Sequence, residues 1–226
     1  MTTSEGIILI DKPAGKTSFY LVNVLRKILG VKKIGHAGTL DPFATGVMVM
    51  LVGRKYTQMS QGFTKQGKSY LATIRLGVET DSYDCDGEVV STSELIPSKE
   101  QVEEAMTHFQ GMVQQTPPMF SAKKVGGRKL YELARKGQEI EREPITVTLE
   151  TQLLRYEYPE IDVLIHCSKG TYVRSIAHDL GKMLGCGAHL SRLVRTQSGD
   201  FKLEECIKLE DLNRDNVHNY LKHANC

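Results

Sequence analysis

A mixed α/β fold (α+β class) is what this sequence predicts, on three observations. Short β-rich apolar runs, such as Val47–Val52 and Ser69–Leu76, alternate with runs of helical period that carry their own cap and stop residues. Clusters of Gly, Pro, Asn, Asp and Ser separate them at short intervals. The 226 residues, 40% hydrophobic and 25% charged, have the composition of an ordinary globular protein with a sizeable core.

The elements follow in order. Gly6–Ile10 is a β-type run ending in the turn Asp11-Lys12-Pro13-Ala14-Gly15. Thr17 or Ser18 caps a helix reaching about Leu29, with Leu21, Leu25 and Ile28 on one face and Gly30 as its stop. The stretch Gly35–Gly46 is a loop, and Val47–Val52, apolar throughout, is a buried strand. Lys55–Phe63 reads as a short helix, Ser69–Leu76 as a half-buried strand, and Gly77–Gly87 as an acidic loop. That loop lacks the ligand set of an EF-hand, which would need a carboxylate or amide at Ser82 and a bidentate Glu at Ser93. Ser98–Phe109 is a helix with a capping box from Ser98 and Gln101. Ile145–Tyr156 and Asp162–Ser168 form an antiparallel pair turning near Pro159. A glycine turn at Gly170 then opens a helix whose first turn carries Tyr172 and Arg174 and which ends at Gly185-Cys186-Gly187. His189–Thr196 is a strand, and the tail from Leu209 is expected to be helical.

Composition excludes several classes. No apolar run approaches a membrane span, and Met1–Glu5 lacks the regions of a signal peptide, so a cytoplasmic protein is expected. Five scattered cysteines without a C-x-x-C pair imply reduced thiols, and the seven histidines offer no convincing metal set. Neither a nucleophile elbow nor a phosphate-binding glycine loop is present. Net charge is only +2, but its distribution is uneven: Ser121–Arg142 carries a net +4 and Glu79–Glu104 a net −8. Such a molecule meets a polyanion in one orientation.

Two stretches hold the candidate chemistry. In Gly35-His36-Ala37-Gly38-Thr39-Leu40-Asp41-Pro42-Phe43-Ala44-Thr45-Gly46 a single carboxylate stands beside a proline, between apolar runs. An Asp-Pro in a loop is ordinarily a turn whose carboxylate bonds its own backbone; here no exposed charge run or polar spacer surrounds it. Gln115–Tyr131, with Pro117-Pro118 and Gly126-Gly127, is a basic excursion that reads either as a long surface loop or as a flap closing on a ligand. Residue chemistry alone supports an RNA- or nucleotide-binding α/β protein.

The Asp41 loop resembles, nearly residue for residue, the Gly-His-x-Gly-x-Leu-Asp-Pro motif of the TruB family of tRNA pseudouridine synthases. Further blocks match in order: Asp11–Pro13, Lys68-Ser69-Tyr70, Leu76-Gly77 through Thr80-Asp81, and Pro117-Pro118 with Ser121-Ala122-Lys123. After them come Lys129-Leu130-Tyr131, His166–Arg174, and Gly185–Leu190 with Leu193. The resemblance implies the pseudouridine synthase fold, a large, mainly antiparallel sheet flanked by helices with the active cleft across it. It implies isomerisation of the T-loop uridine, tRNA position 55, without cofactor or metal. Asp41, Tyr70 and Arg174 would be catalytic, with Arg174 pairing Asp41 and Tyr70 stacking on the flipped uracil. Whether Asp41 attacks the nucleoside or removes a sugar proton stays open. Tyr172 and Leu193 would line the base pocket, His36 would fill the space the base leaves, and Lys12, Lys123, Lys124, Arg128 and Lys129 would contact the RNA. The flap at about 115–142 matches the family's thumb, within one catalytic domain over 1–226. Only about 25 residues follow Phe201, so a C-terminal RNA-binding module of the PUA type is not expected. A monomer with tRNA as its partner, and no obligatory protein partner or membrane, follows. The competing reading is a non-catalytic tRNA-binding or folding module that uses the same pocket.

Overall fold

The computed structural model describes residues 5–223 except 122, 135 and 139, and only the backbone of Lys124 and Lys129. The chain runs β1 (Gly6–Lys12), α1 (Ser18–Leu29), β2 (Ile34–His36), β3 (Thr45–Val52), α2 (Arg54–Gln58), α3 (Ser60–Thr64) and β4 (Lys68–Leu76). There follow β5 (Val78–Thr80), β6 (Val89–Thr92), α4 (Lys99–Met106), β7 (Gly111–Gln115), β8 (Lys124–Val125), β9 (Arg128–Lys129) and α5 (Leu130–Ala134). The last elements are β10 (Ile145–Glu157), β11 (Glu160–Cys167), α6 (Val173–Leu184), β12 (Ala188–Ser198), β13 (Phe201–Lys202) and β14 (Ile207–Lys208). They fall into two compact units, one of Met1–Tyr70 with Leu193–Cys226 and one of Leu71–Arg192.

In the first unit β3 is the central strand, which is why Val47–Val52 could be apolar at every position. β1 pairs antiparallel along its whole length, Gly6 opposite Val52 and Lys12 opposite Gly46. Its other edge is shared: β2 pairs antiparallel at one end, His36 opposite Met50, and β12 pairs parallel at the other, Arg195 opposite Gly46. β14 extends β1 in parallel and β13 folds back on β12. One face of these strands buries Ile7, Leu9, Val47, Val49 and Leu51 with Tyr56 of α2. Ile8, Ile10, Met48 and Met50 point the other way and are fully buried too. α1 is capped by Thr17, whose side chain accepts the Tyr20 amide, buries Leu21, Val22 and Leu25, and stops at Gly30 in the left-handed region.

In the second unit the strand order is β4, β11, β10, β7. β10 and β11 are an antiparallel hairpin, Leu149 opposite Cys167, and β7 pairs antiparallel with β10, Ile145 opposite Gln115. α4 carries the expected capping box between Ser98 and Gln101, and α6 ends at Gly185. The basic excursion forms its own small structure. β8 and β9 make a two-residue hairpin, and Leu130 and Leu133 of α5 bury against Met119. Both units thus have the expected α/β class, with mainly antiparallel strands flanked by helices.

Four local expectations change. Gly35 and His36 belong to strand β2 rather than the loop, because the free edge of β3 accepts them. The helix expected over Lys55–Phe63 is two helices divided at Met59. Val78–Thr80, inside the expected acidic loop, is a strand paired with Val89–Thr92 beyond it. The tail from Leu209 holds only 3-10 turns at Leu209–Asp211 and Val217–Tyr220. There Asn213 accepts the amides of Asp215 and Asn216, and Asn216 accepts the amide of Asn213, bonds that compete with a helix.

Candidate active site

The loop between β2 and β3 is fixed at nearly every residue around Asp41. Ala37 continues the strand pairing by donating its amide to Val49 (2.9 Å). Ser18, at the first residue of α1, brackets Leu40, its hydroxyl accepting the Leu40 amide (3.0 Å) and donating to the Leu40 carbonyl (3.1 Å). The Pro42 carbonyl accepts both the Gly15 amide (2.8 Å) and the Lys12 ammonium (3.0 Å). Ala44 closes the turn onto the Asp41 carbonyl (3.2 Å), and Gly46 donates its amide to the Asp11 carboxylate (3.1 Å). Leu40 and Ala44 are buried, so the loop is seated in the core on either side of a half-buried Asp41.

Two fully buried cations serve this loop. Lys12 is 0% exposed and its ammonium also donates to the carbonyls of Pro13 (2.9 Å) and Lys16 (2.7 Å). The sequence placed Lys12 among the RNA contacts; the structure gives its amine to the turn beside Asp41. Arg195 is likewise 0% exposed and donates to the carbonyls of Val47 (2.7 Å), Thr39 (3.4 Å) and Gly38 (3.3 Å). Nothing in the local sequence singled out Arg195, because its targets lie about 150 positions earlier. Gly46 has φ +103°, and a Cβ there would stand 2.3 Å from the Arg195 carbonyl oxygen, so only glycine fits.

Tyr70 is buried near the start of β4, and Leu193 is buried in β12 just before Val194, which lies opposite Thr45. His36 is half-buried at the end of β2. Burial chiefly, and the Arg195 charge after it, hold its imidazole below the usual histidine pKa, against a hydrogen bond to the Gly38 backbone that raises it. Asp41, His36, Tyr70 and Leu193 therefore share the first unit with Lys12 and Arg195. A cavity of about 570 Å³ in the same unit is lined by Asp11, Lys12, Tyr20, Thr45, Val194 and Lys208, among others; Asp41 is not part of its wall.

In the second unit Tyr172 is the N-cap of α6, with Gln115 gripping its backbone at both the amide (2.8 Å) and the carbonyl (3.0 Å). At the second residue of the helix, Arg174 is 5% exposed. It pairs with Asp84 (3.2 Å) and donates to the carbonyls of Ser82 (3.2 Å) and Phe120 (2.9 Å). Asp84, 4% exposed, is itself held by the Ser82 hydroxyl (2.6 Å) and the Asp86 amide (3.1 Å). Sequence reasoning treated Asp84 only as part of an acidic loop; the structure buries it next to Tyr83, which has φ +66°. The Tyr83 ring stacks on His178 of α6 at 3.7 Å. Of the thumb cations, Arg128 is exposed and Lys123 half-buried with its amine at 3.5 Å from the Glu143 carbonyl; the side chains of Lys124 and Lys129, like Arg135, lie outside the described residues.

A carboxylate in a rigid bend, a buried tyrosine and a buried leucine in one unit suit chemistry on a nucleobase. The fold agrees. A crystal structure of a Cbf5-Nop10-Gar1 complex aligns with a TM-score of 0.72 at 32% identity, over 92% of this chain and 53% of that one. An archaeal box H/ACA sRNP Nop10-Cbf5 complex aligns at 0.67 and 27% identity, over 95% of this chain and 57% of that one. The chain thus spans about half the length of these solved proteins. The architecture is that of the pseudouridine synthases.

Family profiles make this narrower. The N-terminal domain of the TruB family pseudouridylate synthases matches residues 26–173, and the C-terminal domain of tRNA pseudouridylate synthase B matches residues 174–224. The tRNA pseudouridine synthase B of Protochlamydia amoebophila is 64% identical over 90% of this chain and 78% of its own length. Those of Chlamydia abortus (60%, over 90% of this chain and 86% of the relative) and Chlamydia trachomatis (55%, over 98% and 92%) are similar. The chain belongs to the TruB family of pseudouridylate synthases, which are isomerases.

Proposed function

We propose that this protein isomerises a uridine of tRNA to pseudouridine, and that the uridine is the T-loop one at tRNA position 55. The base leaves C1′ at N1, turns in the pocket and rejoins C1′ through C5; C5 then gives up its proton and N1 regains one. No atom is gained or lost, so no co-reactant is required. A uridine stacked within a folded loop is inaccessible, and the enzyme must extrude it and hold it in a pocket. Asp41 is the reacting carboxylate, either attacking the nucleoside or removing a sugar proton. Tyr70 stacks on the extruded uracil, Arg174 is the catalytic cation, and Tyr172 and Leu193 line the pocket. His36, whose pKa is lowered chiefly by burial, occupies the space the base vacates. Lys123, Lys124, Arg128 and Lys129 of the thumb contact RNA phosphates, and the protein acts as a cytoplasmic monomer on tRNA.

The observation that carries this reading is the loop itself: a family-matching Asp41 motif whose neighbours on both sides are bonded into the core. The test is release of tritium from C5-labelled uridine in a T-arm transcript, followed by mapping of pseudouridine in the product. Release matched by pseudouridine at the T-loop position is expected. Tight binding of the transcript without release would overturn it in favour of a binding or folding module.

A further inference from the structure

We propose that Arg195 is a positioning residue for the reaction, its buried guanidinium setting where the Asp41 carboxylate stands by gripping the loop carbonyls of Gly38 and Thr39 from its anchor on the Val47 carbonyl of β3. The inference rests on the reading of Asp41 as the reacting group, and it adds a residue that never touches the substrate.

A guanidinium out of contact with water costs several kcal/mol unless its donors are used. Here the described partners are three carbonyl oxygens and the Met48 sulfur (3.0 Å), and none is a carboxylate. An apolar side chain at this place in β12 would be cheaper for stability alone. The arrangement is organised instead around the loop. Parallel pairing sets Arg195 opposite Gly46, and the absent Cβ of Gly46 lets the two backbones meet. From that anchor the planar fork reaches Val47 on the strand and Gly38 and Thr39 on the rising side of the loop. Lys12 grips the falling side at Pro42. Thr39 and Pro42 bracket Asp41, so the peptide units around the carboxylate are restrained from both directions. Displacement of a reacting group by about 1 Å costs on the order of 10²-fold in rate. Lysine could keep the charge at residue 195 but could not span three acceptors with a fixed fork.

The experiment compares Arg195→Lys and Arg195→Met with wild type in single-turnover tritium release at saturating T-arm stem-loop. Dissociation constants for the same RNA and amide hydrogen exchange over residues 38–44 are measured alongside. Folded Arg195→Lys should turn over about 10-fold to 100-fold more slowly, with its dissociation constant within about twofold of wild type and faster exchange confined to the loop. Arg195→Met should be at least as slow. Should Arg195→Met fail to fold, Arg195→Lys decides alone. Rates within about threefold of wild type, or a rate loss matched by an equal loss of RNA binding or of folded protein, would overturn the proposal. Wild type that binds but releases no tritium would refute the proposed function, and loop exchange in the variants would then decide whether Arg195 holds the loop.

Discussion

The Asp41 loop and the thumb are both irregular, glycine-containing segments between core elements, yet they are built on opposite plans. Around Asp41 the backbone is tied down by Ser18, Lys12, Gly15 and Arg195, and Leu40 and Ala44 sink into the core. The thumb rests on a cluster of three buried residues, Met119, Leu130 and Leu133. Its hairpin has two residues per strand and turns through Gly126 and Gly127, both at positive φ with open space around them. One segment spends buried charge on fixing a carboxylate; the other carries exposed charge on a lightly anchored scaffold. Chemistry at a carbon centre demands placement to a fraction of an ångström. Capture of a phosphate backbone is long-ranged and tolerates movement.

Four measurements break or sharpen that contrast. The largest effect belongs to Asp41→Asn, which should lower turnover by about a thousandfold or more while T-arm binding stays within about threefold of wild type. Appreciable tritium release by this variant would remove Asp41 from the chemistry. Next comes a matched pair of glycine substitutions. Gly46→Ala drives a Cβ into the Arg195 backbone at an already unfavourable φ and should cost about 3–5 kcal/mol, lowering Tm by roughly 10 °C or more. Gly126→Ala has the same kind of φ but nothing nearby, and should cost about 1–2 kcal/mol. Equal losses of Tm would mean that the two segments are equally constrained.

Arg128→Ala tests the other side. If the exposed guanidinium meets a phosphate, affinity for a T-arm stem-loop should fall and the slope of log K against log salt should flatten by about 0.7–0.9, with kcat unchanged. A kcat loss at saturating RNA would assign the thumb a catalytic part. The smallest effect lies on α6, outside both segments. Burial raises the Asp179 carboxyl to about 6, with Lys182 pulling weakly the other way. A folded-state pKa above the unfolded one means that the group's favourable contribution is present at low pH and is lost as pH rises through about 6. Asp179→Asn should therefore leave Tm unchanged at pH 4 and raise it by roughly 2–4 °C at pH 8. Neighbouring His178, lowered chiefly by burial, runs the opposite way: its contribution is full above the unfolded pKa and fades as pH falls below it. Urea titrations of wild type and variant at the two pH values separate them.

Much of the fold was legible because its signals are local. A fully apolar run marks a strand flanked on both edges, Ser98 with Gln101 marks a helix start, and Gly30 and Gly185 mark helix ends. The tail from Leu209 misled because helical composition there is outweighed by Asn213 and Asn216 bonding their own backbone. The candidate site was legible to the extent that it is a contiguous motif, as around Asp41, or matches a family block, as at Tyr70 and Arg174.

By itself, then, the sequence determined the α/β class, the capped helices, the Asp41 bend and the family to which the chain belongs. Tertiary structure alone decided that Lys12 and Arg195 are buried clamps on that bend and that Asp84 is buried in an ion pair with Arg174. The reason is the range of the interactions involved. Caps and hydrophobic periods are written within a few residues of each other, whereas the donors of a buried cation go to whichever carbonyls strand pairing brings near, here up to 157 positions away.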